Sequence, residues 1–303
     1  MKKIITILVV IVLAGVGLYF FTKGDTNVPP ADTVKTPDVS ENTQGSGTEN
    51  EVKSTVVSSS AIGKSVGGRD IVAYSYGTGA TKLLFVGGIH GGYSWNTALV
   101  AYELMDYLAK TPTAIPASVQ VTVIPVVNPD GLAKVVPNVE RFTKADVSPS
   151  ATTQITGRYN GNTVDLNRNF DCDWKTSGTW QNKTVSGGSK AFSEPESQAI
   201  KAYVEANNPS AAVIWYSAAG GVFSSNCTMG VSTTTRTIAT LYAKASGYPA
   251  HESFDFYETT GDMANWLAKK SIPAISVLLT THDDTEWSKN QAGIEALLKE
   301  YAN

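Results

Sequence analysis

Arg158, Asn167 and Arg168 are the residues of this chain best suited to chemistry on an anion. A guanidinium binds a carboxylate through paired, charge-assisted hydrogen bonds. Arg168 with Asn167 beside it suits the terminal carboxylate of a peptide, and Arg158 is a second guanidinium able to stabilise an oxyanion. A plainer reading competes with this one: Arg168 and Asp165 form a surface ion pair. His90 stands upstream in Gly87-Gly88-Ile89-His90-Gly91-Gly92, and Tyr257 downstream in Tyr257-Glu258-Thr259-Thr260-Gly261-Asp262. The chain has 3 His, few for a metalloenzyme, because a catalytic zinc commonly takes more than one.

These side chains need strands and helices to hold them, and the pattern supplies both. Ile71–Tyr76 alternates apolar and polar residues, as a strand does. Leu83–Val86, Val119–Val127, Ala211–Tyr216 and Ile275–Thr280 are apolar runs of strand length. Apolar spacing predicts helices over Trp95–Leu108, Pro195–Ala206, Thr233–Ala245 and Trp287–Tyr301. In Ser193-Glu194-Pro195-Glu196, Ser193 is placed to cap, with Glu196 returning the bond and Pro195 in the first turn. Buried strands interleaved with helices predict an α/β fold, a three-layer α/β/α sandwich on a mixed, largely parallel sheet. His90, Ser217 and Thr281-His282 each follow a strand, and binding crevices in open α/β sheets lie at the carboxyl ends of strands.

Four segments occur in the order Asn128-Pro129-Asp130-Gly131, Asp165-Leu166-Asn167-Arg168-Asn169-Phe170, Phe192-Ser193-Glu194-Pro195-Glu196 and Tyr257 to Gly261-Asp262. With Arg158-Tyr159-Asn160 and His90, they resemble the zinc carboxypeptidases of the carboxypeptidase A type, over the span from Ile62 to Tyr301. The resemblance implies that Asn167 and Arg168 bind the substrate's terminal carboxylate and that Arg158 polarises the scissile carbonyl. It makes Tyr257 the tyrosine that closes over substrate, and Asp165 the acceptor that orients His90. It makes His90 the first zinc ligand. The glutamate ligand is expected at 93 or 94, where Tyr93 and Ser94 stand. The second histidine is expected where Tyr216 stands, and the general base where Leu278 stands. A neutral hydroxyl is a poor zinc ligand, and Leu moves no proton. The expectation is therefore a pseudopeptidase that binds peptide or peptidoglycan stem-peptide ends, with zinc absent or weakly held. The alternative is an active zinc metallocarboxypeptidase with displaced ligands. A third reading is a structural ectodomain that uses another face.

Other candidates are weaker. His282-Asp283-Asp284 and Glu286 suggest either a metal site with His90 or a cap for the helix near Trp287. His251 reads as structural, in a loop. Ser94 and Ser217 lack the Gly-x-Ser-x-Gly setting of a serine nucleophile.

The bulk numbers agree with a globular chain: 303 residues, 42% hydrophobic, 17% charged, net charge -3. No basic block is present, which argues against nucleic acid as a partner. Lys2-Lys3 precede an apolar run from Ile4 to Phe21, closed by Lys23. This run predicts an uncleaved signal anchor over residues 1–23, single-pass in the cell membrane, with the remainder extracytoplasmic. Residues 24–55 are rich in Thr, Pro, Ser, Gly and acidic side chains and predict a disordered linker. The compact domain then covers 56–303. Cys172 and Cys227, the only cysteines, are either a disulfide or two buried thiols.

Overall fold

The computed structural model describes residues 56–302. The expected anchor and linker lie outside the described residues. Among the described residues no helix is long and apolar enough to cross a membrane.

The chain runs through strands β1 (Val56–Lys64), β2 (Asp70–Tyr76) and β3 (Thr81–Val86), helix α1 (Asn96–Lys110) and strand β4 (Val119–Ile124). Short helices α2 (Pro129–Leu132) and α3 (Ala151–Thr156) lead to a hairpin of β5 (Ser177–Trp180) and β6 (Lys183–Ser186). Helix α4 (Pro195–Asn207), strands β7 (Ala211–Ser217) and β8 (Gly221–Ser224), and helix α5 (Thr233–Ser246) follow. The remainder is β9 (Ala250–His251), α6 (Met263–Lys269), β10 (Ala274–Leu279) and α7 (Trp287–Glu300).

Eight strands form one sheet in the order β1-β2-β4-β3-β7-β10-β8-β9. The centre, β4-β3-β7-β10, is parallel, and β1-β2, β2-β4 and β8-β10 are antiparallel. Successive side chains of a strand point to opposite faces. Leu83 and Phe85 thus join the core that α1, α5 and α7 cover, with Ala98, Leu104, Ile238, Tyr242, Ile294 and Leu297. Leu84 and Val86 join the other core, with Ile200 of α4 and Met263, Trp266 and Leu267 of α6. This is the predicted three-layer sandwich with a mixed, largely parallel sheet.

The apolar run Val119–Val127 ends as a strand at Ile124, because Pro125 has no N–H to give the ladder. The capping expected of Ser193 is not found. Glu194 occupies the cap position without a side-chain bond, and Pro195 opens α4. Ser193 Oγ donates to Glu194 Oε1 at 2.7 Å, and Glu196 accepts from Val66 N at 3.1 Å and Asn160 Nδ2 at 3.1 Å. Glu194 also accepts from Asn160 Nδ2 and Asn162 Nδ2, each at 2.8 Å. Partners from distant loops displaced the local cap, and the motif instead braces the segment that carries Arg158. Asp283 and Asp284 do not cap α7 either. Asp283 pairs with Lys144 at 3.1 Å, and left-handed Glu286 stands at the helix start without a side-chain cap bond.

Candidate active-site cavity

His90 follows β3, Tyr216 lies near the end of β7, and Leu278 lies near the end of β10. Leu278 and Tyr216 are direct partners in the parallel ladder, so both side chains face the α4/α6 side. They line one cavity of about 300 Å³ together with His90, Arg158, Asn167, Arg168, Trp180 and Tyr257. Asp165 and Ser94 are not in the lining; both are buried, at 0% and 1% exposure.

Glycine permits two close backbone approaches beside the cavity. Gly91, at φ +41°, lets the His90 turn pack on the 128–132 segment, where a Cβ would meet Asn128 O at 2.8 Å. Gly261, at φ +64°, leaves no room for a Cβ against the Arg168 carbonyl. Phe170 N donates to Gly261 O at 3.0 Å and Gly261 N to Cys172 O at 2.8 Å, so the Tyr257 loop is clamped to the Arg168 segment. Cys172 and Cys227 are joined, with Cα atoms 5.9 Å apart, which settles the disulfide question.

The two arginines differ in their partners. Arg158 donates Nε to Asp165 Oδ2 at 2.9 Å, with Nη2 at 2.8 Å from the same oxygen. Its Cζ lies 4.4 Å from the Trp180 ring. Burial alone would raise Asp165, but the Arg158 charge, joined by His90 and the Arg168 charge, outweighs it and holds the carboxyl well below the usual range. Arg168 is 1% exposed, donates only to the carbonyls of Asn167 and Thr179, each at 2.8 Å, and keeps a buried, unpartnered Nε. It is therefore no surface ion pair with Asp165. The Tyr257 ring stands 5.8 Å from its Cζ. Asn167 gives one N–H to Asp262 Oδ2 at 2.8 Å and accepts from Tyr216 Oη at 3.0 Å and Met263 N at 3.2 Å.

His90 Nε2 lies 3.4 Å from Asp165 Oδ1, while both ring nitrogens are buried without a well-formed hydrogen bond among the described residues. Desolvation, followed by the Arg158 charge, lowers its pKa from 6.5 to about 4, so the ring is neutral at pH 7. The unfolded ring takes up a proton below 6.5 that the folded ring refuses until about 4. Stability should therefore fall as pH drops through this window, by about 3 kcal/mol at most. Urea unfolding midpoints between pH 7.5 and 4.5 check this, and the slope should shrink in His90→Asn. An unchanged slope in that variant would assign the effect elsewhere.

The donor set around His90 does not fit zinc. The Tyr216 ring centroid is 5.8 Å from that of His90. Burial pushes the Tyr216 phenol well above 10, so it supplies no phenolate, and its O–H is held by Asn167. Leu278 offers no donor, and Ser94 Oγ is a buried neutral hydroxyl. Among the described residues, the one group of three potential ligands is Cys172, Asp173 and Cys227, two of which form the disulfide. His282 does not join His90; its Nδ1 lies 3.1 Å from Ser217 Oγ and its ring 4.4 Å from that of Tyr93. His251 is in edge strand β9 rather than a loop, stacked on Phe223 at 4.5 Å.

Sequence reasoning missed Trp180, which sits on the unpredicted β5–β6 hairpin, and the wall built from Phe223, Asn226, Phe254 and Asn265. The Trp180-x-x-Lys183 spacing carries no strong hairpin signal, and Asn265 sits on α6, too short to show a periodicity.

The zinc carboxypeptidase family model, peptidase M14, matches residues 48–299. The chain belongs to this family. No curated protein matches it as a sequence relative. Among solved structures it is similar to murein-tripeptide amidase MpaA from Escherichia coli O157, at 20% identity and TM-score 0.58, over 83% of this chain and 95% of that one. It is also similar to bovine thrombin-activatable fibrinolysis inhibitor, solved with tick carboxypeptidase inhibitor: 16% identity, TM-score 0.61, 82% and 88% covered. Carboxypeptidase A from Helicoverpa armigera matches at 18% identity and TM-score 0.59, over 82% and 68%. At these identities the likeness speaks for the fold. Zinc is the family's metal, and this zinc carboxypeptidase domain has a donor set around His90 unlike a zinc site.

Proposed function

We propose that this domain is a pseudopeptidase: it grips the terminal carboxylate of a peptide, or of a peptidoglycan stem peptide, without cutting it. One observation carries the reading. Arg168 is a buried guanidinium at the cavity wall that, among the described residues, donates only to backbone carbonyls, with a free Nε. A buried charge lacking a counterion is costly, and an anionic ligand would relieve it. Tyr257 lies over the same group, and the Asn167 amide has a second N–H to offer. The murein-tripeptide amidase likeness supports a cell-wall peptide as the source of that end. The run from Ile4 to Phe21 supports display on the outer face of a membrane, anchored by a single span.

Hydrolysis by displaced zinc is the reading that would replace this one, and the unpaired nitrogens of His90 favour it. Titration of the full chain with acetylated dipeptides decides between them. Peptides with a free carboxyl end should bind and their amidated counterparts should not. Arg168→Met should weaken binding about 100-fold, the loss of a charge-assisted pair. Chelator should change nothing, and peptide should be recovered intact. Binding that follows added zinc, or chelator-sensitive release of the terminal residue, would make the domain an enzyme instead.

A further inference from the structure

We propose that the cavity also selects the side chain of the terminal residue, accepting a polar uncharged group and above all a carboxamide, with Asn226 as the residue that reads it. This rests on Arg168 holding the terminal carboxylate. Ser224, Asn226, Ser253, Asn265 and Ser276 line the same cavity, all neutral and all able to hydrogen-bond. Asn226 stands out among them because its Oδ1 is buried with no partner among the described residues. A buried acceptor left unpaired is destabilising, and a donor from a ligand would complete it.

The position of Asn226 is fixed independently of its side chain. Its backbone N–H donates to Asn265 Oδ1 at 2.9 Å. The next residue, Cys227, is bonded to Cys172, a short step beyond Arg168 in the chain. The reading group and the carboxylate-holding group therefore belong to one cross-linked frame.

The rest of the lining narrows the choice. Phe223 and Phe254 offer apolar wall for a methylene stem, their rings 5.4 Å apart. A side-chain carboxylate would meet Asp173 and Asp262, which also face the cavity. An ammonium finds Asp262 already engaged, accepting from Asn167 Nδ2 and Asn265 N at 2.8 Å each, and the other carboxylate, Asp173, exposed to solvent, where an ion pair contributes little. A carboxamide carries both donor and acceptor, and the Asn226 amide can present either by a half-turn. Glutamine at the chain end satisfies all these conditions.

The test is calorimetric titration of the full chain with N-acetyl-alanyl dipeptides ending in Gln, Leu, Lys or Glu, each with a free carboxyl. The Gln peptide should bind about tenfold more tightly than the Leu peptide, because a site built to hydrogen-bond rejects a ligand that cannot. Asn226→Leu should erase that difference while the Leu peptide still binds. Asn226→Asp should move the preference to the Lys peptide, a gain that a misfolded variant cannot mimic. Equal affinities across the four peptides, or a Lys preference in the native chain, would overturn this selectivity and leave the carboxylate grip standing. Failure of every free-carboxyl peptide to bind would remove the grip itself, and the selectivity with it.

Discussion

Arg158→Met should destabilise the fold by about 3–5 kcal/mol, the loss that follows when one partner of a buried ion pair is removed. Asp165 is 0% exposed and takes two contacts from Arg158 through Oδ2. Without that guanidinium its charge keeps neutral His90, its own local backbone bond to Asn167 N at 3.1 Å, and the weaker influence of the Arg168 charge. Asp165 would then protonate near neutral pH or drag water inward, and either outcome loosens the segment that places Asn167 and Arg168. Chemical denaturation of the full chain measures this. Arg158→Lys should recover part of the loss, since it keeps the charge but not the planar fork. Arg168→Met is the informative contrast. It removes a buried charge with no counterion along with two hydrogen bonds to carbonyls, terms of opposite sign, so stability should move by less than about 2 kcal/mol. Similar losses in the two variants would contradict the partner assignment made for these arginines.

Reduction of the Cys172–Cys227 bridge should lower stability by about 4 kcal/mol, from the loop entropy released to the unfolded chain. The bridge spans a sequence separation of 55, and a long loop gains the most from closure. It also joins two walls of the cavity that no strand pairing connects directly. Unfolding midpoints with and without dithiol reductant, repeated on a Cys172→Ala/Cys227→Ala chain, would measure the effect. The double variant should match the reduced chain and no longer respond to reductant. A midpoint indifferent to reductant would mean that the Arg168 segment is held by its hydrogen bonds, to Gly261, Asp262 and Thr179 among others, and not by the bridge.

The framework of the cavity was legible in the sequence because it follows from periodicity and from local backbone demands. Leu83–Val86, Ala211–Tyr216 and Ile275–Thr280 are short apolar runs that bury both faces, and the sheet places them side by side. Residue type alone left the Arg158 to Phe170 segment open between an anion site and a surface ion pair, and the resemblance to the zinc carboxypeptidases favoured the anion site. Ser94, Tyr216 and Leu278 stand where the resemblance expects the metal-centre groups, and the structure sets Tyr216 beside His90 and Leu278 in register with it.

Residue type and spacing thus determined the strands and the place of His90 after one of them, and the family resemblance implied that two guanidiniums and a tyrosine would join that imidazole, as they do in one cavity. Tertiary structure alone decided that Arg158 pairs with Asp165 while Arg168 donates to the carbonyls of Asn167 and Thr179, because chain order does not say which guanidinium reaches that carboxylate. It decided the pairing of Cys172 with Cys227 and the fate of Ser193 and Glu196, whose local cap lost to bonds from distant loops. It also decided the neutral wall around Asn226, drawn from β8, α6 and β10, elements that touch only after the chain has folded. Such choices turn on distances between segments far apart in the chain, and those distances are set by packing rather than by any local pattern.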